Sequence, residues 1–193
     1  MSGPVIVGLG GTTRPHSTTE RALVFSLKAA AALGARTVLI GAEQLQLPVY
    51  APERAERTDA AHYLVEQLRA ADGIIVASPG YHGGLSGLVK NALDYTEDMR
   101  RDPRPYFEGR AVGCIASAAG WQATTTTLVA LRSIVHALRG WPSPLGVCIN
   151  STEMTFGANG ECLSSTLAEQ LDLMTAQVVE FTKSRSCRSA AFG

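Results

Sequence analysis

The sequence predicts an α/β fold: a three-layer sandwich in which helices cover both faces of a five-stranded parallel sheet. Short apolar runs alternate along the chain with longer segments of helical period, the pattern of repeated strand and crossover helix. Runs such as Ile74, Ile75 and Val76 are continuously β-branched, which is typical of strands buried on both faces. With 193 residues and 46% hydrophobic content, the chain can form one substantial core.

The elements follow in a regular order. Strands are predicted at residues 5–9, 36–40, 73–77, 111–116 and 145–149, and helices at residues 18–33, 58–71, 85–99, 124–138 and 164–181. Right-handed crossovers and a sheet of this size favour the strand order 2-1-3-4-5, with a switch point between the first and third strands. We expect one domain over residues 1–183. Residues 184–193, rich in Ser, Arg and Ala without an apolar period, are predicted to form a disordered tail.

The charge balance excludes several classes of partner. Lys plus Arg and Asp plus Glu both number 17, so the formal net charge is zero. A neutral chain lacks the electrostatic footprint of a protein that binds nucleic acid or an anionic membrane surface. The uncharged stretch 111–131 contains Gln122 and four consecutive threonines, which makes it a poor membrane span. With no export signal at its start, the protein is expected in the cytoplasm, with small molecules or proteins as partners.

Three kinds of reactive site are not predicted. Cys114, Cys148, Cys162 and Cys187 are too widely spaced for a CxxC redox pair and are expected to be structural thiols. The four histidines include no pair at metal-ligand spacing, so no metal is expected. The sequence also lacks the G-x-S-x-G elbow of a serine hydrolase.

The loop after the first strand has the composition of a phosphate-binding site. Thr13 stands where the dinucleotide fingerprint needs its third glycine, so that fingerprint fails. The loop instead supplies hydroxyls and a guanidinium directly before a helix N-terminus, where a phosphate dianion is favoured. The candidate residues are Thr12, Arg14, Ser17, Thr18 and Thr19. The alternative is an ordinary N-cap, with Ser17 or Thr18 as the cap and Glu20 completing a capping box.

A glycine-rich loop follows the third strand. Its candidate residues are Pro79, Gly80, Tyr81, His82 and Gly83. Backbone with so few side chains can turn sharply and present N–H and C=O groups to the face of a flat ligand. In the predicted strand order, this loop and the first one border the same crevice.

Two further features belong to this region. The loop after the fourth strand, residues 117–122, lies at the same carboxyl edge, and its small residues permit close approach of a ligand; Trp121 either stacks there or belongs to the core or an interface. Lys90, Asn91 and Asp94 follow the second loop at helical spacing and are expected to order it rather than to touch a ligand.

The chain resembles the NADPH-dependent FMN reductase family of flavodoxin-like proteins, over nearly its whole length up to about residue 181. The resemblance lies in Gly11-Thr-Thr-Arg-Pro-His-Ser-Thr18, in Ser78-Pro-Gly-Tyr-His-Gly83 and in Gly87-Leu-Val-Lys-Asn-Ala-Leu-Asp94. It implies that Arg14, Ser17 and Thr19 hold the FMN phosphate, although many relatives have Asn where this chain has Thr19. It also implies that Pro79, Gly80, Tyr81 and His82 border the isoalloxazine. The same resemblance places the loop after the fourth strand against the flavin, with Gly120 and Gln122 as the candidate residues.

The resemblance implies an activity as well. NADPH or NADH would reduce FMN by hydride transfer to flavin N5, and free flavin, a quinone or a similar compound would accept the electrons. The resemblance also implies a homodimer or homotetramer, and a flavin-dependent monooxygenase as a partner that receives the reduced flavin.

Two alternatives remain open on the sequence. A flavodoxin-like electron carrier would hold flavin without nicotinamide activity, but such carriers usually present an acidic face and this chain is neutral. A cofactor-free interaction module would keep the sheet and bind no flavin.

Overall fold

Strands and helices alternate along the chain in a computed structural model that describes the backbone of residues 3–192 and the side chains of residues 3–185. The strands are β1 (Val5–Gly10), β2 (Arg36–Ile40), β3 (Gly73–Tyr81), β4 (Gly84–Leu85), β5 (Ala111–Ala118), β6 (Trp141–Pro142) and β7 (Val147–Asn150). The helices are α1 (Thr18–Ala32), α2 (Asp59–Ala70), α3 (Gly87–Asp94), α4 (Trp121–Ala137) and α5 (Ser165–Phe192), with a 3-10 helix (Tyr95–Met99) after α3. None of the helices in the described part is long and apolar enough to cross a membrane.

The five predicted strands form a parallel sheet in the predicted order. β1 pairs with β2 and β3, β3 pairs with β5, and β5 pairs with β7 from Ile115 opposite Val147 to Ala118 opposite Asn150. Two short strands were not predicted. β4 is antiparallel to the end of β3, and β6 is parallel to the start of β5. Strands of two residues are too short to show a hydrophobic period.

Successive residues of each central strand enter different cores, which confirms the three-layer sandwich. Ile6 of β1 packs with Leu23 of α1 and Val178 of α5 in one core, whereas Val7 packs with Leu64 of α2 and Leu131 of α4 in the other. Both cores consist of residues that are almost completely buried. Burial on both faces explains why these strands read as continuous apolar runs.

The last helix runs further than the sequence predicted. It was expected to end at Phe181, but its bounds extend to Phe192, so the backbone of residues 184–192 is helical where a disordered tail was expected. Lys, Arg and Ala favour helix and can extend it without an apolar period. The guanidinium of Arg185 also lies over the ring of Phe181, 6.0 Å from its centroid and one turn further along. Side chains beyond residue 185 lie outside the described part, and the single-domain boundary at 183 stays a prediction.

Candidate functional site

Three loops meet at the carboxyl edge of the sheet. Gly10 at the end of β1 lies opposite Ala77 of β3, and Pro79 of β3 lies opposite Ser117 of β5. The segments beyond these positions are the β1–α1 loop (residues 11–17), the β3–β4 hairpin (residues 79–85) and the β5–α4 turn (residues 119–120). The structure therefore brings the three predicted loops to one edge, with the first two at the switch point.

The end of β1 comes unusually close to β3. A Cβ at Gly10 would overlap the carbonyl of Ala77, and the φ of Gly10 is +147°. The N–H of Gly11 donates to that same carbonyl at 3.3 Å. Glycine is required for this approach, so the wall of the crevice is bare backbone here.

The β1–α1 loop is folded on one of its own hydroxyls. Thr12 Oγ1 accepts a hydrogen bond from the N–H of Arg14 at 3.1 Å. The Arg14 side chain is exposed, and its guanidinium takes part in none of the ion pairs found among the described residues. A positive charge at the rim of this loop is therefore available to an anionic ligand.

The N-terminus of α1 shows the expected cap. Ser17 is the N-cap, and its Oγ accepts from the N–H of Glu20 at 3.3 Å. The carboxylate of Glu20 reaches one residue beyond the usual capping box and accepts from the N–H of His16 at 2.7 Å, where φ is +56°. The cap at Ser17 is thus confirmed, whereas Glu20 does not complete the capping box, because its carboxylate accepts from His16 and not from Ser17. The hydroxyls of Thr18 and Thr19 take part in none of the hydrogen bonds found among the described residues.

The glycine-rich loop after β3 is a tight β-hairpin. Tyr81 pairs with Gly84, and the two residues between them, His82 and Gly83, have φ of +50° and +85°. Positive φ at both central positions is the signature of a type I′ turn, which glycine adopts without strain. The Tyr81 side chain is 56% exposed at the mouth of the crevice.

Two buried serines hold the ends of the hairpin, and sequence reasoning assigned neither of them a role. Ser78 Oγ accepts from the N–H of Ser86 at 3.0 Å and donates to the carbonyl of Pro79 at 2.9 Å. Ser86 in turn is the N-cap of α3, accepting from the N–H of Val89 at 3.2 Å. The signal that could have found Ser78 is a lone hydroxyl at the end of an otherwise apolar buried run.

The glycines of the hairpin have two different functions. At Gly80 an added Cβ would overlap the hydroxyl of Thr127 on α4 and come within 3.1 Å of Ala118 Cβ. The same hydroxyl donates to the carbonyl of Gly84 at 3.3 Å, so α4 holds the hairpin directly. At Gly83 and Gly84, by contrast, an added Cβ would meet no atom within 4 Å. The backbone at Gly83 and Gly84 therefore leaves room for a ligand to approach closely.

The β5–α4 turn has an equally bare surface. Gly120 has a φ of +111°, and an added Cβ there would meet nothing within 4 Å. Gly120 is the N-cap of α4, and no side chain caps the first-turn N–H groups of that helix. The side chains of Trp121 (55% exposed) and Gln122 are on the surface at the start of α4, which excludes a core position for Trp121.

Asn150 is the polar residue of this edge that sequence reasoning missed. It ends β7, is only 9% exposed, and its Oδ1 accepts from the N–H of Gly120 at 3.0 Å. A single polar residue directly after an apolar strand, at the carboxyl edge, was the available signal. Its partner is 30 positions away in the chain and has no local signature.

Lys90, Asn91 and Asp94 were expected to order the glycine-rich loop, but their side chains make their hydrogen bonds elsewhere. Asn91 Oδ1 accepts from the N–H of Tyr50 at 2.8 Å, and Asn91 Nδ2 donates to the carbonyl of Pro48 at 2.9 Å. Lys90 and Asp94 form an exposed ion pair of 2.5 Å along the helix. Asn91 therefore orders the long segment that follows β2.

A charged cluster completes the support of that segment. Arg57 makes two hydrogen bonds to the Asp98 carboxylate, of 2.7 and 2.9 Å, and Tyr50 donates to the same carboxylate at 3.0 Å. The Arg57 guanidinium also lies 4.9 Å from the centroid of the Tyr50 ring. The hydrogen bond from Arg57 is the main cause that lowers the pKa of Asp98.

Cys114 lies in β5, the strand that ends at the third loop, and its thiol is buried. Burial raises the pKa of the Cys114 thiol to about 12, which keeps it protonated and unreactive. Within residues 3–185, no group of three or more His, Cys, Asp or Glu side chains could hold a metal ion.

Comparison with known proteins identifies sequence relatives. A family profile described as NADPH-dependent FMN reductase matches residues 4–153. An FMN-dependent NADPH-azoreductase of Staphylococcus aureus is 32% identical over 120 residues, which are 61% of this chain and 60% of that protein. The matched part is thus less than two thirds of that relative.

Solved structures share the fold across nearly the whole chain. The flavoenzyme NAD(P)H:(acceptor) oxidoreductase FerB from Paracoccus denitrificans superposes with a TM-score of 0.77 at 17% identity, covering 94% of this chain and 98% of FerB. The apo form of the NADH:FMN oxidoreductase EMOB gives a TM-score of 0.71 at 19% identity, covering 94% and 89% of the two chains. Identities this low bear on the fold alone.

Proposed function

Because this chain belongs to the NADPH-dependent FMN reductase family, we propose that it binds FMN and uses NAD(P)H to reduce it. Electrons then pass to free flavin, a quinone or a similar acceptor. The observation that supports this function best is the convergence of three loops, one rich in phosphate donors and two with bare backbone, at one edge of the sheet.

The residues present fit FMN at both ends of the ligand. The β1–α1 loop provides a helix N-terminus and an unpaired guanidinium, a combination that favours a phosphate dianion. The hairpin and the β5–α4 turn provide open backbone at Gly83, Gly84 and Gly120, where a Cβ would point into free space. A flat ring system can lie against such a surface without displacing side chains.

In this proposal the phosphate end of FMN is held by the β1–α1 loop. Arg14 supplies the charge, and the hydroxyls and N–H groups at the start of α1 supply hydrogen bonds. The proposed phosphate contacts are Thr12, Arg14, Ser17, Thr18 and Thr19. Ser17 can serve both as N-cap and as phosphate donor, because its hydroxyl accepts from Glu20 and keeps its own hydrogen free to donate.

The ring end would be bordered by the other two loops. The proposed neighbours of the ring are Pro79, Gly80, Tyr81, His82, Gly83, Gly120 and Gln122. Tyr81 offers an exposed aromatic face, and the type I′ turn holds His82 and Gly83 in a fixed conformation. The backbone of these loops fixes the position of the ring, so that one face stays accessible to nicotinamide.

FMN, when bound, supplies the hydride chemistry, accepting two electrons from the dihydronicotinamide and passing them to the final acceptor. The protein's own residues bind and orient the two partners, which is the main source of catalysis when the cofactor carries the reaction. No side chain acting as general acid or base is required.

Titration with FMN and anaerobic mixing with NADPH test the proposal. The purified protein should take up FMN with a change in the flavin absorbance bands, and NADPH should then bleach those bands. Uptake of FMN without bleaching would favour an electron carrier, and failure to take up FMN would reject both readings. NADH in parallel reports the nicotinamide preference, and free FMN against quinones reports the acceptor.

Assembly and location extend the same proposal. The exposed rings of Tyr81 and Trp121 at the crevice mouth support a homodimer or homotetramer, because large exposed aromatic surfaces often mark interfaces. Light scattering coupled to gel filtration measures the oligomeric state directly.

Free thiols at Cys114, Cys148 and Cys162 support a reducing compartment, the cytoplasm, as the location of the protein. A flavin-dependent monooxygenase is the kind of partner that would consume reduced flavin released from this site.

A further inference from the structure

We infer that Asn150 is a positioning residue, which holds the β5–α4 turn against the crevice and thereby sets the redox behaviour of the flavin bound there. The inference rests on the proposed function, since it assigns a role at the same site. Asn150 itself lies behind the turn. It would act on the flavin through Gly120 and the start of α4.

The side chain of Asn150 makes four hydrogen bonds to neighbouring residues. Its Oδ1 accepts from the N–H of Gly120 at 3.0 Å and from the N–H and hydroxyl of Thr152 at 3.2 and 2.8 Å. Its Nδ2 donates to Glu153 Oε1 at 3.0 Å. One nearly buried amide thus joins the end of β5 to the segment after β7, using both its acceptor and its donor.

The backbone around Asn150 strengthens this connection. The carbonyl of Ala118 accepts from the N–H of Gly120 at 3.0 Å and also from the N–H of Ser151 at 2.9 Å. The N–H of Gly120 is therefore shared between the Ala118 carbonyl and the Asn150 side chain. Gly120 has a φ of +111°, a conformation that favours glycine, and both acceptors hold its N–H in that conformation.

The position of Gly120 decides how α4 begins. Gly120 is the N-cap of α4 and offers no side chain to satisfy the N–H groups of the first turn. Those N–H groups lie at the positive end of the helix dipole, which stabilises negative charge on a nearby ligand. If Gly120 loses the Asn150 acceptor and keeps only the Ala118 carbonyl, the first turn can move, and a reduced, more electron-rich flavin loses stabilisation. We therefore expect Asn150 to influence reduction more than binding of the nicotinamide.

The decisive experiment compares N150A with a charge-neutral swap and a matched control. In N150A the side-chain acceptor of the Gly120 N–H is lost, so the rate of flavin reduction by saturating NADPH should fall about three- to tenfold, the effect of losing hydrogen bonds of ordinary strength. The KM for NADPH should stay unchanged, and the midpoint potential of bound FMN should become more negative. All variants are measured at saturating FMN.

In the swap N150D/E153Q, the new carboxylate at position 150 can still accept from the Gly120 N–H, and the new amide at position 153 can donate to that carboxylate. The net charge of the protein is unchanged. The double variant should recover most of the wild-type rate. N150D alone puts two carboxylates about as close as the present 3.0 Å contact and should be slower than the double variant. This pair keeps the test decisive even if N150A does not fold.

The control is Q177A, because Gln177 Oε1 also accepts a backbone N–H, that of Leu145 at 3.0 Å, on the approach to β7 and away from the crevice. If N150A and Q177A lose stability equally and share wild-type reduction rates and potentials, Asn150 is merely structural and the inference is overturned. A double variant as slow as N150A would overturn it too. Wild-type protein that fails to bleach with NADPH would instead reject the proposed function.

Discussion

The carboxylate of Glu20 accepts a hydrogen bond from the backbone N–H of His16 at 2.7 Å, directly beside the N-terminus of α1. His16 belongs to the loop that we propose for the FMN phosphate. A carboxylate therefore already uses one of the donors at this site, and its charge has the same sign as that of the phosphate. The contact stabilises the loop as the structure shows it, and under the proposed function the charge of Glu20 would oppose phosphate binding.

The first prediction follows from that contact. In E20Q the amide oxygen can still accept from His16, but the like charge is gone, so the Kd for FMN should fall about three- to tenfold, or roughly 0.7–1.4 kcal/mol. Fluorescence quenching of FMN measures it. Riboflavin, which lacks the phosphate, is the control and should bind both proteins equally. Weaker FMN binding by E20Q would show that Glu20 mainly supports the loop.

The second prediction concerns the unpaired guanidinium of the same loop. R14A should weaken FMN binding about ten- to a hundredfold, because hydrogen bonds to charged groups contribute about 1.5–3 kcal/mol. Riboflavin affinity should not change, and the loss should shrink as ionic strength rises. R101A removes an equal charge near Asp102, which pairs with Arg69 at the end of α2. If R101A weakened FMN binding as much as R14A does, long-range charge would explain the effect and direct contact would not.

The order of the sheet could be predicted because burial on both faces leaves a strong local signal. Runs such as that around Ile75 are apolar at every position, and the crossover rule then fixes their neighbours. The candidate loops could be placed for the same reason, since parallel strands end at one edge. The cap at Ser17 was also visible, because its partner Glu20 is three residues away.

What could not be predicted depends on contacts between distant residues. Asn150 and Gly120 are 30 positions apart, and Thr127 meets Gly84 across 43. No local pattern marks such pairs. The β3–β4 hairpin looked like an irregular loop because its second strand has only two residues. The extension of α5 arose from good helix formers that carry no apolar period.

The third prediction tests the close packing of the hairpin on α4. A Cβ at Gly80 would overlap the Thr127 hydroxyl, so G80A should lower the free energy of unfolding by about 1–3 kcal/mol, the usual cost of overpacking. It should also weaken FMN binding. G80A/T127A removes the overlapping atom and should be more stable than the sum of the single changes predicts. Urea denaturation of the apoprotein gives these values.

The control for G80A lies just after the hairpin, at the start of α3. At Gly87, the first residue of α3, an added Cβ would meet nothing within 4 Å, so G87A should leave stability within about 0.5 kcal/mol of wild type or raise it slightly. If G87A destabilised the protein as much as G80A does, general sensitivity of the hairpin would account for both. Strict additivity in G80A/T127A would likewise argue against the contact.

The fourth prediction concerns pH and the Asp98 cluster. The hydrogen bond from Arg57 holds the pKa of Asp98 below its usual value, so the folded state favours the charged form. Stability from Asp98 is therefore fully present above the unfolded pKa of about 3.9 and is lost as the pH falls through that value and the lower folded one. D98N should cost on the order of 1 kcal/mol at pH 7, because solvent still screens the pair. The difference from wild type should shrink below about pH 4.

The control is D94N, which breaks only the exposed pair with Lys90 and should change stability by no more than about 0.5 kcal/mol. A D98N deficit that stays constant from pH 7 to pH 3 would show that packing around Tyr50, and not the charge of Asp98, stabilises the segment after β2.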